Sequence, residues 1–213
     1  MIISRGRGYV FVHIPKTGGT SMALALEARA KSDDILIGDT PKAKRRKARL
    51  AALTPRGRLW KHSTLADIDG ILTPAELSEM FVFTLVRNPW DRMVSYYHWL
   101  QDQSFDHPAV ALSHRLHFAE FVAHPMIQAS FLNAPYASYV TDVAGSECCA
   151  LFLRLEHLDD DLDRLTEHLG FQLDLPHVNR SDRRTYREYY TEAGKLQVAQ
   201  MCASDIQRFN YLF

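Results

Sequence analysis

The sequence predicts an α/β fold with a mostly parallel, three-layer sheet. Two apolar runs, at residues 9–14 and 81–86, are continuous rather than alternating, as strands covered on both faces are. Each run ends in a turn signal that opens directly into a helical pattern: Pro15 to Ser21 after the first, Arg87-Asn88-Pro89 after the second. A third apolar run at 148–155 is followed by Leu158, Leu162, Leu165 and Leu169, one face of a helix stopped by Gly170. Strands alternating with helices imply parallel pairing, with the ligand at the carboxyl ends of the strands.

The elements follow in order. After the first strand (Tyr9, Val10, Phe11, Val12, Ile14) a helix runs through Ala23, Leu24, Leu26 and Ala28. A short apolar piece at 35–37 enters a basic stretch holding Lys42, Lys44, Arg45, Arg46, Lys47, Arg49, Arg56 and Arg58, punctuated by Pro41, Pro55 and Gly57. That stretch either meets an acidic substrate or is a solvated face. Leu59-Trp60-Lys61-His62 reads as a short strand with His62 at its exit. Thr73-Pro74-Ala75-Glu76 has the cap, proline and glutamate of a helix start. In Arg87-Asn88-Pro89, Asn88 caps a helix on which Trp90, Met93, Val94 and Tyr97 share an inward face. Residues 104–138, with breaks at Pro108, Pro125 and Pro135, read as helices and loops covering the sheet. The polar run Asn179-Arg180-Ser181-Asp182-Arg183-Arg184 precedes a last helix over about 191–208.

A chain of 213 residues, 46% apolar and 23% charged, fits a single domain spanning 1–213. Its formal net charge of zero gives no global field to recruit nucleic acid. No apolar run has the length of a membrane span, and the early first strand leaves no room for a signal peptide, so a cytoplasmic protein is expected. Cys148, Cys149 and Cys202 suit neither a disulfide framework nor a zinc site, and read as core residues of a reducing compartment.

The chemistry concentrates in YVFVHIPKTGGTSM, residues 9–22. Gly18 and Gly19 let backbone amides approach an anion, the following helix points its positive end at the same place, and Lys16 adds a mobile cation. The hydroxyls of Thr17, Thr20 and Ser21 add donors. The lysine precedes the glycines, so the Walker order GxxxxGK[ST] of a Mg·ATP site is absent. At the second strand end, where an NTPase would place a metal-binding acid, stands Arg87, either a bidentate anion donor or half of a structural ion pair. Asp91 suits the first turn of its helix. Arg87 with Ser95, two turns into that helix, makes a second anion site. A nucleotide phosphorylated on its 5′ and 3′ sides would engage both.

HIPKTGGTS and LVRNPWDRMVSYY together resemble the two cofactor motifs of the sulfotransferases that use 3′-phosphoadenosine 5′-phosphosulfate (PAPS), in the carbohydrate branch that includes the heparan sulfate 2-O and 6-O enzymes. The segments 153–158 and 179–211 resemble bacterial members. The resemblance implies a P-loop-like fold. It implies that Lys16, Thr17, Gly18, Gly19, Thr20 and Ser21 bind the 5′-phosphosulfate, that Arg87 and Ser95 hold the 3′-phosphate, and that Lys16 neutralises the leaving phosphate. Asn179, Arg180 and Ser181 either close over the nucleotide, as the resemblance suggests, or form a polar turn. No metal is expected.

A hydroxyl acceptor, a carbohydrate by the resemblance, needs a general base. His62 is the candidate by its position between the two motifs, its alternative being a surface or capping histidine; His13 is expected to fix the loop and His98 is a distant reserve. Competing functions are a P-loop-type nucleotide kinase and a non-catalytic nucleotide or polyanion-binding module. Golgi members carry a membrane anchor and luminal disulfides, which this sequence does not show.

Overall fold

The computed structural model describes residues 1–176 and 184–213, so the Asn179-Arg180-Ser181 segment lies outside the described residues. The strands are β1 (Ile2–Ser4), β2 (Tyr9–Val12), β3 (Ile35–Leu36), β4 (Phe81–Val86) and β5 (Leu151–Arg154). The helices are α1 (Gly19–Ala28), α2 (Pro41–Arg46), α3 (Pro74–Ser78), α4 (Pro89–Gln101), α5 (Pro108–Arg115), α6 (Phe118–Ala123), α7 (Pro125–Leu132), α8 (Tyr136–Tyr139), α9 (Leu158–Leu169), α10 (Glu192–Met201) and α11 (Ala203–Phe209). They group into two compact units. Of the described residues, the first takes Met1–Val86 and 136–176; the second takes Arg87–Pro135 and 184–213.

The first unit is built on a five-stranded sheet of order β3-β1-β2-β4-β5. Its centre is parallel, β2 against β4 and β4 against β5, while β1 pairs antiparallel with β2 and β3. The sheet is therefore mixed, with the expected parallel pairing confined to β2, β4 and β5. Residue alternation sorts the side chains into two layers. Tyr9, Phe11, Phe83, Leu85, Leu151 and Leu153 meet Met22, Ala23 and Leu26 of α1 and Leu165 and Leu169 of α9 on one face. Ile3, Val10, Val12 and Val82 meet Ile37, Leu65, Ile68, Ile71, Leu72 and Val140 on the other. Both faces of the central strands are dry, which is why those runs read as continuous. Phe11, Phe83 and Leu151 stand in register across three strands, and the Phe11 and Phe83 rings lie 5.3 Å apart.

In the second unit the predicted face of α4 is buried at Trp90, Met93, Val94 and Tyr97. Tyr97 packs on Phe118 and Phe121 of α6, with ring centroids 5.4 and 5.1 Å away. The Trp90 indole donates to the Lys195 carbonyl at 3.0 Å, and the Tyr190 hydroxyl donates to the Trp90 carbonyl at 2.9 Å.

The local signals at helix starts hold. Thr73 and Glu76 form the reciprocal capping box, Asn88 accepts from the Trp90 amide at 3.1 Å, and Gly170 closes α9 with φ 73°. Other expectations need correction. Residues 59–62 form turns rather than a strand, because they are tied by local bonds through Ser63 instead of a ladder partner. The third strand begins at Leu151, since Cys148 pairs back to Val140. The last helix is two helices that meet at Cys202. Pro108 and Pro125 start helices, each behind a histidine whose Nδ1 accepts a backbone N–H. Strand β1, paired between β3 and β2, was not foreseen.

Candidate active site

The loop from β2 to α1 carries its strain at the lysine. Lys16 has φ 68° and Gly18 has φ 87°, both left-handed, and this alternation turns successive amides toward one side, a concavity suited to an anion. Thr17 is fully buried and donates to the Ile14 carbonyl at 2.9 Å, so its hydroxyl pins the loop from inside. Gly19 begins the ten-residue α1, whose first amides have no acceptor within the helix. A Cβ on Gly19 would lie 2.1 Å from Cδ2 of His13, so glycine here is what admits the ring. The backbone donors, helix end and lysine form a donor set that fits a phosphosulfate.

His13 and His62 stand beside this loop in the same unit. The His13 ring is buried, and burial holds it well below the usual histidine range. His62 meets it edge-on, centroids 4.6 Å apart, and places Nδ1 2.7 Å from the His13 carbonyl oxygen. A carbonyl can only accept, so Nδ1 carries the proton. Burial pushes the His62 pKa down to about 4, against the hydrogen bond to His13, which raises it. The ring is therefore neutral at pH 7 with its lone pair on Nε2, the state a general base requires. Lys61 pairs with Asp39 at 2.7 Å.

At the end of β4, Thr84 donates its hydroxyl to the Val12 carbonyl at 2.7 Å, pinning the two parallel strands where β2 leaves the sheet. Arg87 is the next residue after Val86 and begins the second unit. Its Nε and Nη2 both reach Oδ2 of Asp91, at 2.9 and 2.6 Å. Asp91 thus holds the guanidinium in one orientation. Ser95, half-buried, lies four residues further along the same face of α4. The structural ion pair at Arg87 is present, and the residue that makes it was read only as a partner of the helix dipole. The signal was available, since Arg87 and Asp91 are spaced four apart.

Part of the basic stretch is structural. Lys42 donates to the Glu27 carbonyl near the end of α1, Arg46 to the carbonyls of Lys31 and Asp34 at 2.8 and 3.4 Å, and Arg49 to that of Ser32. These cations satisfy carbonyls at and beyond a helix C-terminus, where positive charge is favoured. Lys44, Arg45 and Lys47 remain exposed. The cysteines are free thiols; Cys202 is pushed up to about 12 by burial, and burial also raises Cys148, the opposite of an activated thiolate. No His/Cys/Asp/Glu group able to hold a metal occurs, and no helix is long and apolar enough to cross a membrane, among the described residues.

The sequence profile of the sulfotransferase family matches residues 1–211. No curated protein matches the chain. Among solved structures, mouse sulfotransferase SULT7A1 complexed with PAP is similar at 15% identity and a TM-score of 0.47, over 94% of this chain and 84% of that one.

Proposed function

The chain belongs to the sulfotransferase family, and from that premise we propose that it moves a sulfuryl group from PAPS to a carbohydrate hydroxyl, with His62 as general base. The observation that carries this reading is the packed sequence of contacts from loop to base. Gly19 admits the His13 ring, the His13 carbonyl fixes the proton on Nδ1 of His62, and Nε2 is left as acceptor.

Bound at the loop, PAPS supplies a sulfuryl group already joined to a phosphate leaving group. The amides of Gly18, Gly19 and Thr20 and the helix end bind the 5′ side, while Thr17 holds the loop's shape. Lys16 brings positive charge to the oxygen on which negative charge grows as the sulfur–oxygen bond breaks, which lowers the barrier without proton transfer. Nε2 of His62 takes the acceptor proton during attack. Arg87, oriented by Asp91, and Ser95 bind the 3′-phosphate, a charge that ATP lacks. The carbohydrate acceptor is supported by the resemblance of HIPKTGGTS and LVRNPWDRMVSYY to the carbohydrate branch.

Transfer of labelled sulfuryl from PAPS to a panel of oligosaccharides, with EDTA present, tests this. The wild type should turn over and His62→Ala should lose nearly all turnover while binding the nucleotide normally. Phosphoryl transfer from Mg·ATP instead would identify a kinase, and full activity in His62→Ala would reject the base.

A further inference from the structure

The corner that carries Arg87 is held by a segment more than a hundred residues away in the sequence. Asn88 is buried and uses both ends of its amide: Oδ1 accepts from the Trp90 amide at 3.1 Å, and Nδ2 donates to the Leu212 carbonyl at 2.8 Å. A carbonyl can only accept, so the Leu212 bond fixes which way the amide faces and keeps its oxygen on the helix cap. Leu212 is 82% exposed, so burial of its own side chain does not hold that carbonyl in place. The next residue does. The Phe213 ring stands nearly perpendicular to those of Trp90, Tyr186 and Tyr190, with centroids 5.6, 5.6 and 5.5 Å away. Lys195 brings Nζ to 4.5 Å from the Phe213 centroid, and Arg187 donates to the Phe213 carbonyl at 3.1 Å. Trp90 and Lys195 are themselves joined through the indole N–H, so the frame around the ring is bonded as well as packed.

We propose that Phe213 and Asn88 are positioning residues for the 3′-phosphate: Phe213, through the Leu212 carbonyl and the Asn88 amide, holds the first turn of α4 from which Arg87 presents its guanidinium. The inference rests on the reading of Arg87 as the 3′-phosphate donor. Arg87 depends on that turn at both ends. Its backbone runs directly into the Asn88 cap, and its guanidinium is gripped by Asp91, the third residue of the helix. A cap that slackens therefore moves both ends together. Paired hydrogen bonds from a guanidinium to phosphate oxygens depend on the direction of its plane, so this loss of aim costs affinity for the 3′-phosphate. The 5′ side is read by the loop between β2 and α1, to which none of these residues belongs.

Calorimetry of the full chain with 3′-phosphoadenosine 5′-phosphate (PAP) and with AMP, which has no 3′-phosphate, tests this. Phe213→Ala should weaken PAP by about fivefold or more and leave AMP within about twofold, while Phe213→Tyr, which keeps the ring, should stay within about twofold for both. Asn88→Ser retains a helix cap but is too short to reach the Leu212 carbonyl, and should show the same loss for PAP alone. In an Arg87→Ala background, Phe213→Ala should cost less than about twofold more, because the group it positions is gone. If Phe213→Ala does not fold, Asn88→Ser with and without Arg87→Ala gives the same decision. Wild-type PAP affinity in Phe213→Ala and Asn88→Ser, equal losses for PAP and AMP, or an undiminished loss in the Arg87→Ala background overturns the positioning role. A preference for PAP over AMP that survives Arg87→Ala would instead strike the reading of Arg87 beneath it.

Discussion

Lys16 keeps a left-handed backbone, φ 68°, that costs a non-glycine residue about 1–2 kcal/mol. Strain held at one position invites a functional reading, and here the side chain is the cation proposed to act at the phosphosulfate. Two substitutions separate backbone from charge. Lys16→Ala and Lys16→Gly should depress the chemical step to a similar extent, while denaturant unfolding should find the glycine variant more stable than the alanine variant by about 1 kcal/mol. Equal stability would mean that the strain is not there, and full activity in either would remove Lys16 from the reaction.

His62 makes a second statement at this scale. With its pKa lowered to about 4, the base proposed for the free enzyme is unprotonated well below neutrality. The pH profile of kcat/KM should therefore be flat from about pH 8 to about pH 5 and fall below that; an inflection near 6.5 would point to an ordinary histidine. Stability carries the matching sign. Between about 6.5 and 4 the unfolded chain binds a proton at His62 that the folded chain refuses, so stability is full above 6.5 and is lost as pH falls through that window. His13, also held low by burial, acts in the same direction.

Among the elements, the β4–α4 corner shows how far local signals reach. The continuous apolar run, Asn88 as cap and Pro89 at the first helical position were all readable, and the structure has them. The short antiparallel strands β1 and β3 were not, because two or three residues carry no period and are specified by their ladder partners. Residues 59–62 misled for the opposite reason. Leu59 and Trp60 look strand-like, yet the buried Ser63 hydroxyl captures their backbone in a turn. On α4, Arg87→Ala removes a charged donor that Asp91 has already oriented, and should weaken PAP binding by roughly 1.5–3 kcal/mol. Affinity for AMP, which lacks the 3′-phosphate, should change little. Equal losses for the two nucleotides would place Arg87 elsewhere than at the 3′-phosphate.

For the molecule as a whole, the parallel core of the sheet and the family were legible because strand, loop and helix signals agree at Tyr9 to Met22 and again at Phe81 to Tyr97. The candidate site was legible in parts. Gly18 and Gly19 marked the loop as a candidate phosphate cradle, and position marked His62 as the candidate base. Invisible in the sequence were the His13 carbonyl that sets the His62 tautomer, because those residues lie 49 positions apart, and the His13 ring that requires Gly19, because local spacing does not say which way a side chain turns. Composition left the basic stretch open between an acidic substrate and a solvated face, and what it did not show is that several of its cations serve backbone carbonyls at and beyond the end of α1. The donor of the proposed function carries phosphate on both sides of its ribose. Calorimetry of the chain with PAP in EDTA tests that directly: saturable binding, clearly tighter than that of ADP, is the predicted result, and no binding at millimolar PAP with ADP bound instead would contradict it.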